Sequence, residues 1–327
     1  MFKKVSFIVY TFLIFMLAAC GSSSDGQNAQ DTEDYPNDSI KIIVPWDAGG
    51  DTDAVYRIVG EELSEVLDQN VIIENIAGGS GIIGSQEALT SKNDGYTMLA
   101  IHESLPMSDL MGQADFGIDD FEPIALMTSS YKAVATSVDS PWDDMEDLLD
   151  DAEDNPGDIT FAASIGSITQ LEPAMLQTAA DVEFNIVGFD GTAERMKAVV
   201  GNDVDLATVS VTAGKEYLDD GRMKLLGFGG EERNEQIPDI ETLKEQGIDV
   251  VSSTNRGLAF PKDTPEEIIE KMSEALQEVA EDSDFQKQIE DTGSEVNFIG
   301  SDQYADYLIK EEEDIEKSLI NSDLIDE

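Results

Sequence analysis

Cysteine, histidine and basic residues are scarce in this chain of 327 residues. Its one cysteine, Cys20, excludes an intrachain disulfide and a thiolate metal cluster. Its one histidine, His102, excludes a histidine-rich zinc site and leaves at most one Ser-His-Asp arrangement. The sequence therefore predicts no metal site and no cofactor, and it disfavours most classes of enzyme.

The shortage of positive charge is the largest departure from ordinary composition. Only 19 Lys and Arg residues stand against 70 Asp and Glu residues, a formal net charge of -51 at pH 7. Such a field repels phosphate backbones and anionic membranes, which excludes nucleic acid as a partner. The acids are scattered along helical faces, and we expect a solvated acidic surface suited to high salt. A calcium-binding tract is disfavoured, because residues 143–147 lack alternating oxygen ligands around a turn glycine.

The N-terminus has the features of a secretory signal. Lys3 and Lys4 precede an apolar run over residues 5–19 that ends in Leu-Ala-Ala-Cys. That run is too short for a stable membrane span, although an uncleaved anchor helix is the alternative. The ending resembles the bacterial lipobox, in which the cysteine is acylated after cleavage. We expect a signal peptide over 1–19, with Cys20 lipidated.

The mature chain is predicted to begin with a tether. Residues 21–34 are mainly Ser, Gly, Asp, Asn and Gln, which offer nothing to bury. Residues 20–35 therefore form a flexible link between the acyl chains and the folded body.

Short apolar runs alternate with helical patterns along the rest of the chain. This order predicts an α/β fold with parallel sheets covered by helices. Asp51 or Thr52 is expected to cap one helix, and Ser140 with Pro141 to open another. The tail over 265–327 is mainly helical. Predicted strands lie at 40–44, 71–73, 96–101, 159–162, 184–187, 206–209 and 225–228, and predicted helices include 171–180 and 192–200.

Two glycine turns carry the clearest functional signal. Residues 47–50 and 78–81 each follow a predicted strand, at the sheet edge where ligands bind in open parallel sheets. Glycines let backbone N–H groups approach an anion, and a helix dipole adds positive potential. Two tight turns without a ligand are the alternative. Because no Lys or Arg lies within 46–53 or 75–84, a bound carboxylate would depend on main-chain N–H groups, hydroxyls and water.

Several motifs together resemble a known receptor family. Residues 44–53 with Arg57 resemble the first signature of solute receptors of tripartite tricarboxylate transporters (Bug-type proteins). Glu74-Asn75 with Gly78, Gly81 and Gly84 resembles their second signature, and residues 94–97 their third. The similarity continues in order and at family spacing through Gly191 and residues 201–205, 238–247 and 261–265.

The resemblance implies a type II periplasmic-binding-protein fold, with two α/β lobes and a ligand cleft between them. Lobe 1 would comprise 36–136 with 255–327, and lobe 2 would comprise 137–254. The implied function is capture of a small monocarboxylate, dicarboxylate or amino acid for delivery to a membrane permease, without catalysis. We expect a lipid-anchored, extracytoplasmic monomer. The alternatives are a sensor that docks on a membrane kinase, and a hydrolase using Ser104 or Ser164 with His102.

The resemblance also implies the ligand-binding residues. Asp53 has a helix-capping role as its alternative, and His102 is either a ligand contact or a structural hydrogen-bonding residue. The first lobe contributes Trp46, Asp47, Ala48, Gly49, Gly50, Asp53, Gly78, Gly79, Ser80, Gly81, His102 and Ser104. The second contributes Ser164, Ile165, Ser167, Gln170, Phe189, Asp190, Gly191 and Asp205.

Two departures from the family pattern bear on the ligand. Gln170 stands where the family often has histidine, and Phe189 stands where it often has tyrosine. Asp47 and Asp190 place acids near the expected cleft. If these acids face inward, they favour a monocarboxylate or an amino acid; otherwise they belong to the acidic surface.

Overall fold

The apolar runs and amphipathic segments fold into an α/β structure, seen in a computed structural model that describes residues 34–163, 165, 167–189, 192–321 and 324–326. Four residues predicted to bind lipid or ligand lie outside the described residues: Cys20, Ser164, Asp190 and Gly191. The signal peptide and most of the tether lie outside them as well.

The described residues form ten strands and ten α-helices. The strands are β1 (Ile40–Val44), β2 (Val71–Asn75), β3 (Thr97–Ile101), β4 (Phe121–Ser137), β5 (Thr160–Ala163), β6 (Asn185–Gly188), β7 (Leu206–Ser210), β8 (Met223–Phe228), β9 (Ser253–Pro261) and β10 (Glu295–Gly300). The helices are α1 (Asp51–Leu67), α2 (Ile82–Leu89), α3 (Ser104–Leu110), α4 (Met145–Asp154), α5 (Ile168–Ala180), α6 (Thr192–Val200), α7 (Val211–Asp219), α8 (Glu266–Glu281), α9 (Ser283–Asp291) and α10 (Ser301–Asn321).

All seven predicted strands are present, most with ends shifted by a few residues, and the helix predicted at 192–200 is confirmed, but both predicted helix caps are wrong. The N-cap of α1 is Gly50 rather than Asp51 or Thr52. Helix α4 begins at Met145, and its cap is Asp144, whose carboxylate accepts a hydrogen bond from the Asp147 N–H. A cap must have extended backbone with its side chain turned back onto the first turn, and Asp144 meets both conditions.

The sheet is mixed rather than parallel. Its order is β2-β1-β3-β9-β4-β7-β5-β6, with β10 and β8 also paired to β4. The pairs β1–β2, β1–β3, β5–β6 and β5–β7 are parallel, as predicted. The pairs made by β4 and β9 are antiparallel.

The long strand β4 runs through both halves of this sheet. Its first part pairs with β9 as far as Tyr131 opposite Ser253, and its last part pairs with β7 from Lys132 opposite Ser210. The chain returns beside the same point, where the Lys132 N–H donates to the Ser252 carbonyl at 2.9 Å. Residues Asp38–Glu327 form one compact unit. The division into lobes at 136/137 and 254/255 therefore stays a prediction.

Separate apolar cores flank the two halves of β4. Ile43, Leu99 and Leu126 belong to one buried cluster on the first half. On the second half, Ala133 and Val134 point to opposite faces and join two further clusters. Burial on both faces explains why several strands are continuous apolar runs. In the part of the chain described, no helix has the length and apolar character needed to cross a membrane.

Candidate functional site

Asp53 holds the first glycine turn, residues 47–50, by a hydrogen bond to its backbone. This residue lies in the first turn of α1 and is 2% exposed. Its carboxylate accepts hydrogen bonds from the Gly49 N–H at 2.7 Å, Arg57 Nε at 2.9 Å and Asn75 Nδ2 at 2.9 Å. Burial alone would raise the pKa of Asp53, but the hydrogen bonds from Arg57, Gly49 and Asn75 together lower it. Asp53 is therefore ionised and holds the turn.

The same network ties the first turn to β2. Asn75 Nδ2 also donates to the Trp46 carbonyl at 3.2 Å, and Arg57 Nη2 donates to Asn75 Oδ1 at 3.0 Å. The Gly49 N–H is thus occupied by Asp53, while residues 47–50 themselves are exposed. The signature residues Asp53, Arg57 and Asn75 are brought together to shape this turn.

The second glycine turn has unusual backbone geometry. Gly78, Gly79, Ser80 and Gly81 all have positive φ, at 135°, 57°, 56° and 103°. A side chain on Gly81 would also begin 3.4 Å from the Trp46 ring. Side chains at left-handed positions introduce strain, so this turn depends on glycine. Gly50 differs, because its φ of −82° and ψ of 170° suit any residue.

Three helical segments begin at these turns without a side-chain cap. The N-caps of α1, the 3₁₀ turn Gly79–Gly81 and α2 are Gly50, Gly78 and Gly81, and none has a side chain to accept a hydrogen bond. The first-turn N–H groups of a helix have no partner within the helix itself. Glycine caps at adjacent strand ends therefore concentrate backbone donors and positive helix-dipole potential at one edge of the sheet.

His102 and Ser104 lie beside the first turn, just after β3. The His102 ring stacks on Trp46 with centroids 3.8 Å apart and an interplanar angle of 15°. Its Nδ1 accepts the Ser104 N–H at 3.1 Å, which assigns the proton of the neutral ring to Nε2. Burial, followed by the charges of Arg256 and Lys132, lowers the pKa of His102 well below its usual value. His102 is therefore a neutral N–H donor, and its contact with Ser104 uses the amide rather than the hydroxyl.

Arg256 is the main residue that sequence reasoning missed. It lies on β9, is 2% exposed, and donates from Nε to Thr52 Oγ1 at 3.1 Å. Because Ile101 pairs with Gly257, the next residue, His102, lies beside Arg256. Residues 46–53 and 75–84 contain no Lys or Arg, but the fold brings Arg256 to Thr52 at the start of α1. Thr52 and Arg256 are 204 positions apart, and only the antiparallel β9 brings them together.

The predicted residues near β5 and β6 occupy varied positions. Ile165 is 61% exposed, whereas Gln170 is buried in α5. Ser167 is the N-cap of α5 and accepts the Thr169 N–H, and Phe189 packs against an apolar cluster. The Gln170 N–H donates to the Ser167 carbonyl at 2.8 Å, a bond that belongs to the first turn of α5.

Asp205 lies away from the glycine turns in its own half of the sheet. It precedes β7, so it is at the amino end of the parallel strands rather than the carboxyl end. Its Oδ2 accepts from the Thr160 N–H at 2.8 Å and from Thr160 Oγ1 at 2.6 Å. Asp205 thus fixes the start of β5 against β7.

Glu172, which the sequence analysis did not select, joins three elements near Lys132. This glutamate of α5 is 3% exposed. One carboxylate oxygen accepts from the Ser252 hydroxyl at 3.0 Å, and the other accepts from the Thr208 hydroxyl. A buried acid with two hydroxyl donors was not recognisable from the sequence, because these partners lie on distant segments.

Comparison with solved structures identifies the fold. A TctC solute binding protein from Polaromonas is 28% identical, with a TM-score of 0.75 over 87% of this chain and 99% of that one. The chain thus has the type II periplasmic-binding-protein fold expected from the sequence, and it belongs to the class of solute-binding proteins.

The family follows from the sequence comparisons. The model of the tripartite tricarboxylate transporter family receptor matches residues 55–324. The "UPF0065 protein in gbd 5'region" of Cupriavidus necator is 29% identical over 310 residues, which cover 93% of each chain. This chain therefore belongs to the tripartite tricarboxylate transporter receptor family, and the expected resemblance is confirmed. The family is one of receptors rather than enzymes.

Two further solved structures share the fold and contain ligands. MatC from Rhodopseudomonas palustris, with bound malate, is 24% identical, with a TM-score of 0.75 over 87% of this chain and 100% of that one. A second R. palustris protein, with adipate, is 21% identical, with a TM-score of 0.78 over 88% of this chain and 98% of that one.

Proposed function

We propose that this receptor captures a small carboxylate outside the cytoplasm and delivers it to the membrane permease of a tripartite tricarboxylate transporter. One carboxylate of the ligand binds at the two glycine turns. Residues 20–35 tether the receptor to the membrane through acylated Cys20, and membrane retention of Cys20→Ser would contradict that anchor.

The observation that carries this proposal is the set of three glycine-capped helical starts at one sheet edge. Caps at Gly50, Gly78 and Gly81 supply no side-chain acceptor. Carbonyls of the turns accept from the Gly50, Gly81 and Ile83 N–H groups, and an anion would bind the other first-turn N–H groups in the positive potential of the helix starts. The neutral Nε2–H of His102 adds a donor beside Trp46. The malate and adipate in the two R. palustris structures are ligands of the same chemical class.

The division of the sheet supports a receptor that closes on its ligand. Strand β4 and the return segment at Ser252 link the two halves side by side. We infer two lobes, with the chain passing between them at 131/132 and 252/253, and a ligand that favours the closed arrangement. The predicted second-lobe residues, including Ser164, Asp190 and Gly191, belong to this proposal.

A thermal-shift screen of monocarboxylates, dicarboxylates and amino acids at high salt tests the ligand class. A ligand that binds only the folded protein raises its unfolding midpoint by mass action. If no compound in these classes shifts the midpoint, the carboxylate proposal fails.

The glycine turns are tested by Gly79→Val with Gly221→Val as a matched control. Both glycines have similar left-handed backbone, with φ of 57° and 65°, but Gly221 lies away from the turns. We expect Gly79→Val to weaken binding at least about tenfold, or 1.4 kcal/mol, and Gly221→Val to bind as wild type. Wild-type affinity in a folded Gly79→Val protein would show that the turns are not the site.

A further inference from the structure

The strands that cross between the two halves of the sheet carry a buried polar face. Thr128 pairs with Arg256 and Ser130 pairs with Thr254, while the Lys132 N–H bonds to the Ser252 carbonyl. Alternate residues of a strand share a face, so these side chains form one surface, which we call the ribbon floor. The ribbon floor comprises Thr128, Ser130 and Lys132 of β4, Thr254 and Arg256 of β9, and Ser252 just before β9.

Polar atoms of the ribbon floor lack protein partners. Thr128 is fully buried and Arg256 is 2% exposed. Within the described residues, neither Thr128 Oγ1 nor Arg256 Nη1 has a hydrogen-bond partner. A buried donor without a partner destabilises a fold, and a buried cation without one does so more strongly. Groups of this kind are expected where a ligand supplies the missing partner.

The two bases of the ribbon floor also lack ion pairs. Among the described residues, neither Arg256 nor Lys132 has a carboxylate within 4.0 Å, whereas exposed bases such as Lys310 do. Three carboxylates act on these bases at longer range. Glu172 accepts from Thr208 and Ser252. Glu103 accepts from the Asn255 N–H through one oxygen, and Asp51 lies at the start of α1. Burial and the charge of Arg256 lower the pKa of Lys132, as expected for like charges held together.

The ribbon floor is separate from the glycine turns. Strand β3 lies between β1, which leads to the first turn, and β9, which carries Arg256. Two strand spacings amount to roughly 10 Å. The Arg256 side chain donates a hydrogen bond to Thr52, which directly follows the first glycine turn. A small molecule of extended shape can therefore span the distance between that turn and Arg256.

We propose that Arg256, assisted by Lys132, binds a second anionic group of the ligand on the ribbon floor. The receptor then takes a small dianion, with one carboxylate at the glycine turns and the other on Arg256. This inference rests on the proposed function. It differs from the inference that inward-facing acids would favour a monocarboxylate, because Asp47 is exposed on the turn whereas Arg256 is buried on the ribbon floor.

Calorimetry with matched pairs of probes tests the assignment. Succinate, glutarate and adipate are compared with butyrate, valerate and hexanoate, which have the same chain lengths and one carboxylate fewer. The proteins are wild type, Arg256→Gln, Lys132→Gln and the control Arg233→Gln, whose guanidinium forms exposed ion pairs with Glu241 and Glu245.

We expect wild type and Arg233→Gln to prefer a dicarboxylate to its matched monocarboxylate by about tenfold or more, as charge-assisted bonds allow. Arg256→Gln is expected to lose this preference while its monocarboxylate affinity stays within about twofold. Lys132→Gln, at a less buried position, is expected to show a smaller loss in the same direction. If Arg256→Gln does not fold, the dicarboxylate preference of Lys132→Gln tests the proposal instead.

Two results would overturn the proposed second subsite. The first is an unchanged preference for dicarboxylates in Arg256→Gln and Lys132→Gln. The second is an equal loss of affinity for the dicarboxylate and the monocarboxylate of each matched pair. The second result would place Arg256 on the same carboxylate as the turns. Failure of wild type to bind any of the six probes, or any other carboxylate or amino acid, would instead overturn the proposed function on which the inference rests.

Discussion

The two faces of the β4–β9 ribbon are both polar, but their hydrogen bonding differs. On the back face, Ser129 Oγ donates to Asn255 Oδ1 at 2.7 Å, and Asn255 Nδ2 donates to Glu311 Oε1 at 3.0 Å. Tyr307 donates to the same Glu311 oxygen at 2.9 Å. On the ribbon floor, Thr128 Oγ1 and Arg256 Nη1 have no partner in the described chain.

This difference separates a structural network from a binding surface. The back face joins β4, β9 and α10 through side chains that satisfy one another, so it fixes the crossing strands against the helix. The ribbon floor is more deeply buried, and two of its polar atoms have no partner among the described residues. Removing a bonded side chain of the back face should therefore destabilise the protein, whereas removing the unpartnered Thr128 hydroxyl of the ribbon floor should not.

Asn255→Leu should have the largest effect on stability. The substitution removes the hydrogen bonds that Asn255 makes with Ser129 and Glu311, and each lost bond costs about 1–3 kcal/mol. Ser129 keeps its bond from Asn297, and Glu311 keeps its bond from Tyr307. We expect the free energy of unfolding in urea to fall by about 2–4 kcal/mol. Asn93→Leu, which removes one exposed bond to the Asp263 carbonyl, should cost no more than about 1 kcal/mol. Equal stabilities of the two variants would show that the back-face network is not structural.

Glu311→Gln should change how stability depends on pH. Burial raises the pKa of Glu311 to about 7 from its usual 4.5, and burial together with the charge of Glu311 raises that of Glu103. A carboxyl group with a raised pKa binds its proton more tightly when folded. Wild type therefore loses stability as pH rises from about 4.5 to about 7.

The variant should escape that loss, so its stability relative to wild type should increase across this range. The lowered pKa of His102 acts in the opposite direction, since a histidine that resists protonation when folded destabilises the protein as pH falls. His102 is common to both proteins and cancels in the difference. Urea unfolding at several pH values measures it, and a constant difference would contradict the raised pKa.

Thr128→Val should have the smallest effect, with the opposite sign to its matched control. The change removes a buried hydroxyl without a partner, so stability should stay equal or rise by up to about 1 kcal/mol. Thr136, also fully buried on β4, donates to the Asp205 carbonyl at 2.9 Å. Thr136→Val should therefore lose about 1 kcal/mol. A loss of similar size at Thr128 would mean that its hydroxyl is satisfied in solution.

The same polar faces explain which parts of the fold were predictable. Parallel strands such as β1 and β7 are short apolar runs between helices, and their positions follow from the sequence. Strand β4 contains Pro123 and the polar run from Thr128 to Lys132, and β9 contains Asn255 and Arg256. With polar residues on both faces, neither strand has the apolar alternation that marks a strand.

The candidate site, like the fold, was predictable where it depends on local sequence and not where it depends on pairing between distant strands. The glycine turns are local and were located from sequence, as were Trp46 and His102 beside them. Arg256, Lys132 and Glu172 were not, because their roles depend on antiparallel pairing between segments far apart in the chain. No local pattern distinguishes a buried base on a crossing strand from an exposed one.

The point where the chain passes from one half of the sheet to the other has a consequence for how the molecule is connected. Segment 132–252 leaves and re-enters at neighbouring residues, since Tyr131 lies opposite Ser253 in an antiparallel pair. A two-residue turn is enough to connect such a pair. The segment is thus a domain-sized insertion into a β-hairpin. A chain joining Tyr131 to Ser253 through a tight turn would keep every strand neighbour of β1, β2, β3 and β9.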